Sequence, residues 1–314
     1  MGKISYIMFK KTNEGDMMEK VLVIGSTVCD IMIYVDQLPT TKGDVHVKEQ
    51  VMSVGGCAYN VVNVLHHLEA PYTFISPVGT GMYGDFVKQS LKETGIVPEI
   101  TVDEANGCCY CFVETGGERT FISHHGVEYT FNPEWLKHLD LDEYRYVYIC
   151  GLEIEERDGD KIIETLKGIK AEIIFCPGPR GHLIETSKLE NVYQLNPVVH
   201  LNDSEVMTLT DTHTVEEAVV KMYEKTNNKV IVTLGEQGAL YYDGQLTYVS
   251  TSKATVVDTI GAGDSHVGGV LASLSIGNDM IDAIAFGNQV SGKVVGVQGV
   301  QLGKETFEKL KALL

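Results

Sequence analysis

The stretch Asp258-Thr259-Ile260-Gly261-Ala262-Gly263-Asp264 sets a Gly-x-Gly turn directly ahead of a carboxylate, and behind it Val267, Val270, Leu271 and Leu274 recur at the spacing of one apolar helix face. Amides at a helix start have no intrahelical acceptor, and the helix dipole adds positive potential there, so such a turn cradles an anion. Glycine lets the backbone approach the charge with no Cβ in the way. A carboxylate behind a purely anion-binding turn adds repulsion. Asp264 makes chemical sense as a base that takes the proton of a hydroxyl attacking a phosphoryl group held by the turn. On local residues alone, a glycine-rich helix start with Asp264 as first-turn dipole partner stands equally open.

Other residue types that could do chemistry are fewer. Gly79-Thr80-Gly81-Met82-Tyr83-Gly84 is a G-x-G-x-x-G, with Asp103 about 20 residues on, where a dinucleotide fold keeps its ribose acid; an NAD-dependent oxidoreductase is therefore a rival reading. The pattern is not on the first strand, and alone it is a weak signal. Seven cysteines are odd in number and scattered through apolar runs, which reads as buried thiols of a reducing compartment, hence the cytoplasm. In Cys108-Cys109-Tyr110-Cys111 only Cys109 and Cys111 share a strand face, so packing is favoured over metal binding. The pairs His66-His67 and His124-His125 read as surface or lid residues, with His125 placed to contact a substrate.

Strands are expected at 21–24, 72–78, 146–150, 172–176, 191–195 and 230–234, with helices at 58–69, 85–93, 158–167 and 215–225. Such alternation predicts a mainly parallel sheet covered by helices on both faces, a Rossmann-like three-layer α/β/α fold. Residues 44–54 and 107–125, the latter a hairpin turned at Gly116-Gly117, break the alternation and read as a small β lid. A further hairpin is expected around Asp243-Gly244, and residues 254–257 look like the strand feeding the glycine turn. Residues 1–20 read as a polar, disordered leader or an upstream start, followed by one continuous domain over 21–314.

The 43 acidic and 25 basic side chains leave a formal charge of −18, a surface that repels nucleic acid and anionic lipid. No apolar run reaches the roughly 20 residues that span a bilayer. Only four arginines are present, Arg119, Arg145, Arg157 and Arg180, which disfavours an acceptor that already carries phosphate.

The seven-residue motif resembles the D-T-x-G-A-G-D signature of the PfkB (ribokinase-like) carbohydrate kinases, and the likeness runs from about Val21 to Val300. The resemblance implies an ATP-dependent kinase with Asp264 as catalytic base and Gly261, Ala262 and Gly263 as anion hole. Gly55-Gly56 and Asn60 resemble the family's G-G-x-x-x-N, and Asp30 matches its sugar-binding aspartate, although Cys57 stands where ribokinases carry lysine. Asn202 and Glu205 match N-x-x-E, implying phosphate contact and Mg²⁺ held through water. Thr233, Gly235 and Gly238 match a nucleotide-binding T-x-G-x-x-G, and Asn288 matches an adenine-pocket position. Asp258 and Gly299 fall where relatives bind a monovalent cation such as K⁺. Departures are His266 for the usual phenylalanine, and Cys176 and Gly178 for the acid and amide of D-P-N-x-R, where Arg180 remains near phosphate. The expected acceptor is a small neutral sugar. The alternatives are a nucleoside, with Tyr110 or Phe121 stacking on the base, and a non-catalytic nucleotide or sugar sensor. Lids of relatives pair between subunits, so a homodimer is expected, with Cys109, Cys111 and Phe121 as its apolar support.

Overall fold

The computed structural model describes residues 18–314; most of the expected leader lies outside the described residues. Eight strands form the main sheet, in the order Leu246–Val249, Ala239–Tyr242, Val230–Thr233, Val198–Asn202, Glu172–Cys176, Tyr144–Cys150, Lys20–Ile24 and Tyr72–Ile75. All neighbours are parallel except those of Ala239–Tyr242, which is antiparallel on both sides. The period-two alternation of a buried strand explains the layering. Val21 and Val23 enter one core and Leu22 and Ile24 the other. The first core is closed by helices Cys57–His67, Ala262–Ser275 and Met280–Val294, the second by Gly159–Leu166, Thr186–Tyr193 and Val215–Thr226.

Four strands make a second, smaller sheet in the order Glu49–Gly55, Val28–Val35, Cys108–Glu114, Arg119–His124. Asp30 therefore lies inside a strand of this sheet. Residues 44–48 carry no regular structure, and the expected 44–54 strand begins at Glu49. The hairpins at Gly116-Gly117 and Asp243-Gly244 form where expected.

Three expectations fail locally. Residues 191–195 are not a strand: Thr186–Tyr193 is a helix burying Val192 and Tyr193, Asn196 turns with φ 52°, and the β-branched run that follows supplies strand Val198–Asn202. Residues 254–257 pair with no strand, and Val256 and Val257 are exposed. The expected strand 72–78 breaks at Ser76, after which Pro77–Thr80 leaves the main sheet to pair with Ile100–Ala105.

That departure explains the G-x-G-x-x-G. A Cβ at Gly79 would overlap the Glu104 carbonyl oxygen, and one at Gly84 the Gly79 carbonyl oxygen. These glycines let strand Pro77–Thr80 pack against its partner strand and against helix Gly81–Thr94, outside the main sheet. No helix among the described residues is long and apolar enough to cross a membrane.

Candidate active site

A cleft of about 1580 Å³ opens between the carboxyl ends of the main parallel strands and the inner face of the smaller sheet. Strand-terminal Cys150, Cys176, Asn202 and Thr233 line one wall, the end of an open parallel sheet where side chains converge on a ligand. Asp30, Met32 and Tyr34 from one strand, Cys109 and Cys111 from the next, and Phe121 and Ser123 from the last line the other. Each set alternates along its strand, so a period of two aims them all inward. Tyr110, of opposite parity, turns away and bonds Tyr83 through the two hydroxyls at 3.0 Å.

Gly261 holds φ 65° and ends the turn, and helix Ala262–Ser275 starts behind it. The first helical bond runs from Ser265 N–H to the Gly261 carbonyl at 2.8 Å, and Ala262 N–H donates to the Thr259 carbonyl at 3.3 Å. The N–H groups of Gly261 and Gly263 have no acceptor among the described residues, and both glycines line the cleft. Asp264 lies beside them, its Oδ2 accepting from Asn60 Nδ2 at 2.8 Å, with the Cys57 thiol also favouring its charged form. Burial raises its pKa to about 6 against the pull of these two groups, and the carboxylates of Glu205 and Glu153 push in the same direction as burial. Asn60 Oδ1 is buried with no partner.

Asp30 presses against Gly55, where a Cβ would overlap its carboxylate, so the glycine pair makes room for the acid. Burial lifts its pKa to about 7. No protein group hydrogen-bonds this carboxylate among the described residues; its pairing is left to whatever enters the cleft. Gly56, with φ 101°, caps helix Cys57–His67, which brings Cys57 and Asn60 to the same end of the cleft.

Asn202 caps helix Asp203–Thr210 in a reciprocal box. Its Oδ1 accepts Glu205 N–H at 2.8 Å, and Glu205 Oε2 accepts Asn202 N–H at 2.9 Å. Burial raises the pKa of Glu205, and Asp203 adds to the shift. The carboxylate has no cationic partner among the described residues, an electrostatic deficit that a divalent cation would relieve.

Asp258 is in the opposite condition. Its Oδ1 accepts Ile260 N–H at 2.8 Å and Arg119 Nη1 at 2.9 Å, and its Oδ2 accepts Gly299 N–H at 2.9 Å. Burial would raise its pKa, but these donors outweigh it and hold the carboxyl below the usual range. Arg119 is the residue that sequence reasoning missed. Its signal was parity, because it lies two positions before the inward-facing Phe121.

Other expected site residues fall elsewhere. Gly235 opens a 3₁₀ turn, and Gly238, φ 96°, lets the chain pass the Val249 carbonyl; neither lines the cleft, although Thr233 does. Asn288 lies off the cleft wall with its amide committed. Nδ2 donates to the Val249 carbonyl at 3.0 Å, so Oδ1 accepts from His266 Nε2 at 3.2 Å, which leaves His266 Nδ1 to accept from His200 Nε2 at 2.8 Å. Both imidazoles are buried and neutral, burial lowering the His266 pKa to about 4 and that of His200 well below its ordinary value. His266 thus belongs to an interior polar chain. His125 reaches the cleft wall but is held by Glu156 at 2.5 Å, with its ring tilted against that of Tyr129. Arg180 lines the cleft with its guanidinium forked onto Glu155.

The chain matches the description pfkB family carbohydrate kinase over residues 18–306. It is 32% identical over 288 residues to the uncharacterized sugar kinase YegV of Escherichia coli (strain K12), covering 90% of each chain. Its fold is that of a ribokinase from Thermotoga maritima, with a TM-score of 0.83 at 24% identity, covering 94% of this chain and 99% of the other. It is also that of a fructokinase double mutant from Vibrio cholerae O395, solved with fructose, ADP and a potassium ion, with a TM-score of 0.78 at 20% identity and coverage of 94% and 99%.

Proposed function

From the premise that this chain belongs to the pfkB family of carbohydrate kinases and is an ATP-dependent phosphotransferase, we propose that its acceptor is a hydroxyl of a small neutral sugar and that Asp264 is the base that activates it. The observation that carries the proposal is the Asp264 carboxylate set beside the free N–H groups of Gly261 and Gly263 in a cleft whose facing sheet offers the unpartnered carboxylate of Asp30.

The hydroxyl proton passes to Asp264 as the acceptor oxygen attacks the γ-phosphorus of ATP in line, and ADP leaves. Gly261 and Gly263 donate to the oxygens where charge builds, at no reorganisation cost because the turn is already formed. Asn60 orients Asp264 through Nδ2 and offers Oδ1 to a sugar hydroxyl. Asp30 accepts from further hydroxyls, and those hydrogen bonds replace the hydration that burial has stripped from it. Thr233 and Asn202 take the nucleotide side. When bound, Mg²⁺ would neutralise charge on the phosphates, and Glu205, with Asn202, would hold it through water. The smaller sheet acts as a lid that shuts out water, the competing acceptor.

Neutrality of the acceptor follows from the cleft's charge. Its walls carry Asp30, Glu49, Glu93, Glu205, Asp258 and Asp264, and the sole guanidinium among them, Arg180, is paired with Glu155. A sugar that already bore phosphate would meet no free cation. Replacing Asp30 with alanine should raise the acceptor KM about 10–100-fold, the worth of hydrogen bonds to a charged group, with the KM for ATP little changed. Steady-state kinetics with each substrate varied in turn checks this.

A nucleoside acceptor is the second reading, favoured by Phe121, which faces the cleft yet is 55% exposed and so offers a ring for a base to stack on. ADP release measured across free sugars, phosphorylated sugars and nucleosides separates these cases. Free sugars should turn over best, and a clear preference for phosphorylated sugars would overturn the charge argument. ATP with Mg²⁺ should raise the melting temperature and NAD should not. Cys109, Cys111 and Phe121 face the cleft and give a dimer no apolar support, but the exposed Ile122 on the opposite face of the smaller sheet extends the proposal to a homodimer through the lid, and the seven free thiols suit a reducing cytoplasm. Light scattering of the purified chain tests the first of these.

A further inference from the structure

The carboxylate expected to hold a monovalent cation is already occupied by protein. Asp258, 3% exposed at its side chain, is ringed by three donors, the N–H groups of Ile260 and Gly299 and the guanidinium of Arg119. A metal ion needs lone pairs, and Gly299 turns its N–H, not its carbonyl, to this carboxylate. A cation bound to Asp258 would also sit against a permanent positive charge in a poorly screened position. The residues present therefore do not fit a K⁺ site.

We propose that Arg119 is this kinase's built-in monovalent cation: delivered by the smaller sheet, its guanidinium holds Asp258 and the glycine turn behind it, so that catalysis needs no K⁺ or Na⁺. The inference rests on the kinase reading for its catalytic part only. Arg119 opens strand Arg119–His124, opposite Val113, on the side of the strand that carries Phe121 and Ser123 into the cleft. Asp258 Oδ1, which takes the guanidinium, also takes Ile260 N–H, one residue before Gly261. The charge of the lid is thus joined through one oxygen to the conformation of the turn. A second link ties the same region to the sheet, as Gln298, next to Gly299, donates to the Tyr34 hydroxyl. A diffusible ion would stabilise the turn whether the lid were seated or not, whereas an arginine on the lid does so only when it is seated.

The test has a catalytic and a binding arm, each comparing KCl with tetramethylammonium chloride at matched ionic strength. Wild-type ADP release should agree within about twofold between the salts, since both screen alike. The melting temperature of the unliganded protein should show no saturable rise with KCl or RbCl. Arg119→Ala should lose about 10–100-fold in tetramethylammonium, the worth of a charge-assisted hydrogen bond, and recover on addition of guanidinium or K⁺. Wild-type activity that collapses without K⁺, or a saturable thermal shift of the wild type by K⁺, would overturn the proposal. Should the alanine variant not fold, Arg119→Lys keeps a cation at the site and should stay indifferent to K⁺; a K⁺ requirement there would equally sink it. The thermal arm involves no turnover, so it decides the cation question even if no acceptor is phosphorylated.

Discussion

Replacing Asp264 with asparagine is expected to lower kcat by about 10²–10⁴-fold while leaving the affinity for ATP nearly intact. Asparagine keeps the shape and can still accept the Asn60 Nδ2 hydrogen bond made by Oδ2 at 2.8 Å, so the turn and helix have no cause to move. Only the capacity to take a proton is lost. Stability supplies an independent check. The Asp264 pKa is raised to about 6 from an ordinary 3.8, so its ionised form is the disfavoured one in the fold. The stability tied to this group is fully present below pH 3.8 and is lost as pH rises through about 6. At pH 8 the asparagine variant should therefore melt no lower than the wild type, and a large fall in melting temperature would mean that its inactivity comes from unfolding. The same pKa shapes the rate. Wild-type kcat should rise with pH through about 6 and level off above it, because the base must be ionised to accept the proton. Burial also raises the pKa of Glu205 and of Glu153 beside this carboxyl and lifts that of Asp30 across the cleft to about 7, so the comparison with the variant, not the wild-type limb alone, makes the assignment. Loss of the limb in the variant, measured from pH 5 to 8 as ordinary assay conditions, identifies Asp264 as its source; retention of the limb would assign it elsewhere.

Gly261→Ala is expected to lower kcat by about 10²–10³-fold, the usual consequence of displacing one donor of an oxyanion hole. Gly261 holds φ 65°, a conformation that an L side chain adopts at a cost, and its Cβ would overlap Val300 Cγ1 and lie 3.2 Å from Asn60 Nδ2. Val300 belongs to the loop that also carries Gly299, bonded to Asp258. The methyl therefore pushes at once on the turn, on the loop behind it and on the amide that orients Asp264. Gly263 serves as the control, for its Cβ would meet nothing within 4 Å. Gly263→Ala should cost clearly less than Gly261→Ala. Equal losses would mean that the turn tolerates both alike and that its geometry is not what limits the rate.

How far the chain could be read without coordinates depended on the range over which each feature is determined. The glycine turn, its helix and Asp264 are contiguous, and local rules of amide satisfaction and helical period suffice to join them. The alternation that implied a parallel sheet is likewise written in short windows, as are both hairpins with their glycine turns. The strand expected at 191–195 failed because its apolar residues close helix Thr186–Tyr193, a turn at Asn196 separates them from strand Val198–Asn202, and only pairing with Glu172–Cys176 and Val230–Thr233 decides which part is extended. Residues 254–257 failed for the converse reason, a β-branched run with no strand beside it.

What only the tertiary structure decided is which charges meet. Four arginines could be counted, but that Arg119 crosses from the smaller sheet to Asp258, 139 positions away, while Arg180 is spent on Glu155, depends on how two sheets face one another. The same holds for the histidine at 266. From the chain alone it was a polar residue at an apolar position; in the fold it accepts from His200 on a main-sheet strand and donates to Asn288 on the neighbouring helix, drawing that amide away from the cleft. Residue types and short-range spacing specify what a side chain can do. Packing in a low-dielectric interior specifies which partner it satisfies, since an unpaired polar group there is costly and each has room for few neighbours.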